Sequence, residues 1–289
     1  MFKRIKSFDA VIILFCLLTG IYMLIGYQQL DYFYIHISIR IVFLFIVYIM
    51  IKTENSTNKI LLFFRHFYPI LFLSFFYSET GYYNHLLFEP FDPILVRLEN
   101  WIFGTQLSLT FPHSIPDRWF SELMHFGYFS YYLMIIGIPL LVYFKVRQKF
   151  DKTMFIILFS FCMYYLIFIL FPSFGPQFYF PVEKRLVPEG FLFQKIMNFI
   201  IATGETQTGA FPSSHAGLAL ILIIITKKYF KKLLWILIPV TILLLLSTVY
   251  IKAHYAIDTI AGIFSGGLFY IISNALYQGF IVSKGSSLN

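Results

Sequence analysis

The sequence predicts an all-α fold, a polytopic membrane helical bundle with about eight transmembrane helices and both termini cytoplasmic. Three observations lead there. Of 289 residues, 59% are hydrophobic and only 12% charged, with a mean hydropathy of +0.76, too little polar surface to coat a soluble globule. Apolar runs of about 18 residues recur, each long enough for a helix to cross a hydrocarbon core of about 30 Å. The basic residues cluster in alternate loops, as the positive-inside bias requires. A β-barrel would show short alternating segments broken by turns, whereas these runs are continuous and rich in Leu, Ile and Phe.

In chain order the expected spans are Ala10 to Tyr27, Tyr34 to Ile51, Ile60 to Tyr77, Trp119 to Phe144, Thr153 to Phe171, Ser213 to Thr226, Leu233 to Ile251, and Tyr255 to about Phe280. Lys3, Arg4 and Lys6 precede the first. That run has span length and no small-residue cleavage site after it, so it reads as a retained anchor. Lys52 and Lys59 follow the second span, Lys145, Arg147, Lys149 and Lys152 the fourth, and Lys227, Lys228, Lys231 and Lys232 the sixth, all in same-side loops. The intervening loops carry Glu79, Glu89, Asp92, Glu99, Asp117, Glu183, Glu189 and Glu205 and are expected to face outward. Within the outward segment 78–118, the stretch from Ile94 to Phe103 is amphipathic enough to lie in the interface and should end at Gly104. The segment 173–210, punctuated by Pro176, Pro181, Pro188 and Gly190, should be irregular with short helical pieces and should cover the site. Tyr82, Tyr83, Tyr131 and Tyr132 fit the interfacial aromatic belt.

Residues 1–289 read as a single integral-membrane domain, with no repeat of the kind that builds transporter halves. The net charge of +8 follows topology rather than a basic, aromatic-interleaved surface, so no nucleic acid partner is expected. Cys16 and Cys162 both fall within spans and offer neither a disulfide framework nor metal-ligand spacing. No cofactor and no metal are expected, because no His/Cys cluster or aspartate pair stands beside the motifs.

The chemistry is concentrated at Gly175-Pro176-Gln177, at Phe211-Pro212-Ser213-Ser214-His215, and from Ser247 through His254 to Asp258. Ser213 or Ser214 can cap the sixth span while its first-turn N–H groups stay unpaired, a ready anion cradle. The sixth span runs inward, the seventh returns, and the eighth starts near His254, which places His254 on the same membrane face as His215. With His254 in the first turn of the eighth span, Asp258 follows at i+4 and can accept one ring N–H, leaving the other nitrogen to attack. An ionisable residue inside a span is a functional candidate by default. The expected reaction is in-line attack by His254 on phosphorus, with His215 donating a proton to the departing oxygen and backbone amides near Ser213 and Ser214 holding the other oxygens. A phosphohistidine results, and His215 then activates water or a lipid hydroxyl.

These residues resemble the phosphatidic acid phosphatase type 2 superfamily of lipid phosphatases and head-group transferases, over roughly the C-terminal half. Pro212-Ser213-Ser214-His215 is similar to its Pro-Ser-Gly-His signature, with Ser214 for Gly. Ser247-Thr248, five residues, His254, three residues and Asp258 are similar to its nucleophile signature, with Thr248 in place of arginine. The resemblance makes 153–282 the catalytic core and 1–152 a set of N-terminal helices with an outward loop. It implies His215 as proton donor, His254 as nucleophile and Asp258 as its orienter. The family's Lys, six residues, Arg-Pro signature is absent. In its place Phe174-Gly175-Pro176-Gln177 is similar to the Gly-Pro-Arg segment of the inositol phosphorylceramide synthase-like branch, with Gln177 for arginine.

A site with fewer cations suits a singly charged phosphodiester better than a doubly charged monoester. The expected activity is therefore an inositolphosphotransferase-like transfer between membrane phospholipids or sphingolipids, on the non-cytoplasmic face. The alternatives are a lipid phosphate or pyrophosphate phosphatase using the same histidines, and more remotely a transporter. Ser213, Ser214 and Gln177 are the expected substrate contacts, with Lys252, Arg185 or Lys184 restoring the missing charge. Arg40, Arg65, His36 and His66 are expected to snorkel or to bond between helices. Glu79, His85, Glu122 and His125 lie where they could reach a polar head group.

Overall fold

The computed structural model describes residues 5–204 and 206–286; Lys3, Arg4 and Glu205, and the share of the charge pattern resting on them, lie outside the described residues. The α-helices are α1 (Ser7–Ile25), α2 (Phe33–Lys52), α3 (Lys59–Tyr83), α4 (Asp92–Phe103), α5 (Leu107–Ser114), α6 (Arg118–Lys145), α7 (Phe150–Leu170), α8 (Pro176–Tyr179), α9 (Val182–Arg185), α10 (Leu192–Gly204), α11 (Ser214–Tyr229), α12 (Leu234–Tyr250) and α13 (Ala256–Ser286). Among the described residues there is no strand. Helix starts follow capping chemistry: Asn58 accepts from Ile60 and Leu61 N–H, and Asp117 from Trp119 and Phe120 N–H, each satisfying donors that a helix cannot satisfy itself.

Among the described residues, seven helices are long and apolar enough to cross a membrane: α1, α2, α3, α6, α7, α12 and α13. The expected eighth, α11, has 16 residues, or about 24 Å at 1.5 Å per residue, short of the roughly 30 Å of hydrocarbon. It is nevertheless central. It packs against α6, α7, α12 and α13, and Ala216, Leu218, Ala219, Ile221 and Leu222 are all buried. The bundle is apolar outside as well as inside: Leu14, Phe45, Leu133, Ile236, Phe264 and Ile271 are exposed, on faces that hydrocarbon can cover.

The α11–α13 contact depends on glycine. A Cβ at Gly217 would lie 2.6 Å from the Gly262 carbonyl and collide with the Tyr164 hydroxyl, and one at Gly266 would lie 2.6 Å from the Gly217 Cα. Small residues let membrane helices approach this closely. From α7, the Tyr164 hydroxyl donates to the Gly262 carbonyl at 3.0 Å, which locks the third helix onto the seam.

Two buried charge clusters bind the N-terminal helices. Arg40 pairs with Glu79 at 2.5 Å and donates to Thr19 and Tyr83, while His36 meets the other Glu79 oxygen at 2.9 Å. Arg65 makes two bonds to Asp9, at 2.8 and 2.6 Å, and a third to Glu54. Both arginines thus bond between helices. Glu79 is spent in its cluster, and Tyr83 is buried there rather than lying in an interfacial belt. The interfacial helix predicted from Ile94 to Phe103 is α4, ended by Gly104 at φ +71, a left-handed conformation that glycine adopts without penalty. The 173–210 segment is less irregular than expected, since α10 runs for 13 residues. Four N–H groups around the start of α10 converge on the Glu122 carboxylate, so Glu122 serves that helix and not a head group.

Candidate active site

Ser213 is the cap of α11, its Oγ accepting from Ala216 N–H at 3.3 Å. Its own N–H donates to the Asp258 carbonyl at 2.9 Å, so the two histidine-bearing motifs touch through their backbones. That bond seats His215, in the first turn of α11, beside the tight turn joining α12 to α13. His254 stands in that turn, before α13 begins, and not in the helix's first turn as the i+4 spacing suggested. Its N–H is held by the Thr248 carbonyl at 3.0 Å.

The imidazoles meet directly, with His215 Nδ1 3.2 Å from His254 Nε2. His254 Nδ1 lies 2.7 Å from the Ala210 carbonyl. A carbonyl only accepts, so Nδ1 carries the proton; when the ring is neutral, Nε2 holds the lone pair and His215 Nδ1–H is the donor between the rings. Asp258 does not take the ring proton. Its Oδ2 is 3.8 Å from His254 Nδ1 and instead accepts from Tyr255 N–H at 2.8 Å. The reason is local: with His254 ahead of the helix, Asp258 is the third residue of α13, placed to satisfy the N–H at its start. The carboxyl group stays close to the ring, but the Ala210 carbonyl orients it.

His215 is flanked by the rings of Tyr128 and Tyr131, with centroids at 4.7 and 4.4 Å. Tyr131 was expected in the aromatic belt and is instead buried against the site. A cavity of about 20 Å³ opens at the pair, lined by Ser214, His215, His254 and Gln177 with the rings of Tyr77 and Tyr128 among others, and by no lysine or arginine. That holds a water-sized group, so a phosphate needs the side chains to part.

The expected cations are turned elsewhere. Lys252 is fully buried at φ +64, with Nζ donating to the carbonyls of Lys184 at 2.5 Å and Leu186 at 2.8 Å; burial holds its pKa below the ordinary lysine value. Arg185 donates to the carbonyls of Phe180 and, at 2.8 Å, Phe178. Both are engaged by carbonyls of the 178–186 segment. Thr248, where the resemblance expects arginine, shares a 2.9 Å bond with Thr259. Gln177 is present at the cavity, its N–H donating to the Lys252 carbonyl at 3.0 Å. Sequence reasoning missed Tyr77, Tyr128 and Ala210. Tyrosines within spans look like ordinary apolar filling, and a backbone carbonyl leaves no trace in a sequence. Among the described residues no group of three His, Cys, Asp or Glu side chains is arranged to hold a metal.

An apolar helical bundle presenting two histidines and a helix N-terminus at one end fits the class of membrane lipid phosphatases and phosphotransferases. The family model of the PAP2 superfamily matches residues 94–272, more than half of the chain, and the chain belongs to that superfamily. No curated protein and no solved structure matches it significantly. The matched region begins in α4 and ends in α13, so it reaches further toward the N-terminus than the expected core at 153–282.

Proposed function

We propose that this protein is an integral-membrane lipid phosphotransferase that moves a phosphorylated head group between lipids through a phosphohistidine on His254. The observation that carries this is the bonding of His254: Nδ1–H is fixed on the Ala210 carbonyl, which leaves Nε2 as the nitrogen able to attack. When a phosphodiester enters, Nε2 forms the new N–P bond as the bond to the leaving lipid oxygen breaks, and His215, as the imidazolium that the anionic phosphate stabilises, gives that oxygen its Nδ1 proton and is left neutral. The unpaired N–H groups of Ser214 and His215, at the positive end of α11, receive the non-bridging oxygens. In the second half His215 takes a proton from the acceptor lipid's hydroxyl, whose oxygen displaces Nε2 from phosphorus. No metal is called on in either half.

The diester is favoured because no lysine or arginine lines the cavity and Lys252 and Arg185 are engaged with carbonyls. A monoester would bring a second negative charge with nothing beside it to offset it. We infer that the site lies on the non-cytoplasmic face; in support, α11 starts at the histidines and ends at Lys227 and Lys228, the end that the positive-inside bias turns to the cytoplasm. With this placement α11 is the eighth crossing. The inositolphosphotransferase-like branch is the preferred specificity, on the Gly175-Pro176-Gln177 resemblance, of which Gln177 lines the cavity.

The test gives purified protein a panel of phospholipids labelled at phosphorus, phosphatidylinositol first, with and without ceramide or diacylglycerol. A labelled lipid product formed only with acceptor, and a labelled protein band lost in His254→Gln, are expected. Free phosphate or free head-group phosphate alone would make the protein a phosphatase instead. Undiminished turnover in His254→Gln would remove the nucleophile.

A further inference from the structure

Asp92 lies outside every motif, at the start of α4, and by its loop position it reads as a solvated acid. It is fully buried. Its Oδ2 accepts from Phe174 N–H at 2.8 Å, and its Oδ1 from Gly175 N–H at 2.9 Å and from the Tyr255 hydroxyl at 3.1 Å. Every one of these partners is a neutral donor, so the carboxylate is held without a compensating cation, a costly arrangement that needs a reason. Next to it, Phe91 N–H donates to the Pro172 carbonyl at 2.8 Å, pinning the start of α4 to the same segment.

That segment is what orients His254. The Ser173 carbonyl accepts from Ala210 N–H at 3.3 Å, and Ser173 Oγ from Phe211 N–H at 2.8 Å. Ala210 then offers the carbonyl that fixes the His254 ring. Gly175, at φ +78, brings the segment so close to the turn that an added Cβ would sit 3.0 Å from the Ala253 carbonyl. On the opposite side Tyr255 directly follows His254 in the chain. Asp92 therefore grips both walls of the slot that holds the imidazole: the segment behind the acceptor, and the backbone from which the ring hangs. Seven residues along α4, Glu99 faces the N–H groups of Ala256 and Ile257, so the same helix also rests on the start of α13.

We propose that Asp92 is a positioning residue for His254, a clamp between the 173–175 segment and Tyr255 that keeps the Ala210 carbonyl in bonding range of Nδ1 and so presents Nε2 as the attacking nitrogen. It rests on His254 attacking phosphorus. Asparagine at 92 keeps one acceptor but turns an NH₂ toward a backbone N–H donor, which opens the clamp on one side. Tyr255→Phe removes a single bond and keeps the ring packed with Leu95 and Ile257.

The experiment uses full-length protein, the phospholipid donor of the panel on which the wild type turns over, and ¹⁵N-histidine NMR, with His254 assigned among the seven histidines by His254→Gln. Asp92→Asn is expected to lower kcat about 10- to 100-fold and Tyr255→Phe about 3- to 10-fold, the scale of a misplacement of up to 1 Å. KM should stay within about twofold, because binding is left alone. The His254 signals should change from the Nδ1–H tautomer to a mixture. Wild-type kcat in a folded Asp92→Asn, or an unchanged tautomer signature, would overturn the proposal. Should Asp92→Asn fail to fold, Tyr255→Phe decides: full kcat and an intact tautomer overturn it, and the paired loss supports it. A wild type inactive on the whole panel whose tautomer still depends on Asp92 would sink the reaction while leaving the clamp in place.

Discussion

Gly217→Ala tests whether the α11–α13 seam sets the geometry of the histidine pair. The new Cβ would stand 2.6 Å from the Gly262 carbonyl, whereas ordinary contact begins at 3.4 Å. Clearing the Gly262 carbonyl takes a retreat of α11 or α13 by about 0.8 Å, and the Tyr164 hydroxyl, which the new Cβ overlaps, must swing away by about 1.8 Å. His215 is two residues away on the same turn, so a rigid retreat would stretch its 3.2 Å contact with His254 toward roughly 4 Å, beyond hydrogen-bond range. Overpacking costs about 1–3 kcal/mol, and displacing the Tyr164 hydroxyl from Gly262 and Ser265 adds about 1 kcal/mol for each bond lost. A displacement near 1 Å at the reacting groups costs about 100-fold in rate. The assay is thermal unfolding in detergent beside kcat measured well below the transition. Gly137→Ala, where nothing lies within 4 Å of the added methyl, is the control and should be neutral. Tyr164→Phe in the Gly217→Ala background should recover part of the stability, because the hydroxyl is the nearest obstacle. A Gly217→Ala protein with wild-type unfolding and wild-type turnover would refute the coupling of seam to site.

Three further expectations follow from other residues. Lys252→Met should lower stability by about 1–3 kcal/mol through the loss of its two bonds to the Lys184 and Leu186 carbonyls, and should leave KM for a labelled phospholipid unchanged; a large rise in KM with normal unfolding would put the ammonium at the substrate. Glu79→Ala should cost about 3–5 kcal/mol by leaving Arg40 buried without its partner, read as a lower unfolding temperature, and an unaffected transition would show the cluster to be dispensable. Burial raises the Asp92 pKa above its ordinary 3.8 in the folded protein, so the fold favours the protonated form. Its contribution is present below that value and is lost as pH climbs through the raised one. The stability of wild type relative to Asp92→Asn should therefore fall as pH rises from the ordinary aspartate value through the raised one, and a difference that grew with pH would contradict the burial of the carboxylate.

The spans were legible because hydrocarbon imposes one solution, a continuous apolar helix of sufficient length. Phe33–Lys52 and Leu234–Tyr250 match their expected boundaries closely for that reason. Helix α11 escaped the length rule because neighbouring helices, rather than its own extent, keep it in the bundle. The meeting of His215 and His254 was legible from the alternation of spans, which brings every second helix end to the same face. The bonding of His254 was not. It depends on a carbonyl at Ala210 and on whether the histidine stands inside the helix or one turn ahead of it, and spacing alone treats those cases alike. Asp92 and Glu99 looked like the charge of outward loops, and Glu122 like a head-group contact, because a sequence records the acid and not the N–H groups folded around it. Lys252 and Arg185 misled in the same way, their charges being absorbed by carbonyls from the segment 178–186.

The bond between the two rings has a consequence for selectivity. In the proposed reaction the lone pair that attacks is engaged at rest, so the nucleophile is masked by its own acid. A ligand must compete with an intramolecular partner before any chemistry begins, and a lone water gains little by doing so. A phosphodiester can draw His215 onto its departing oxygen and release Nε2 in the same movement, so that the group which unmasks the nucleophile is also the group that receives its attack.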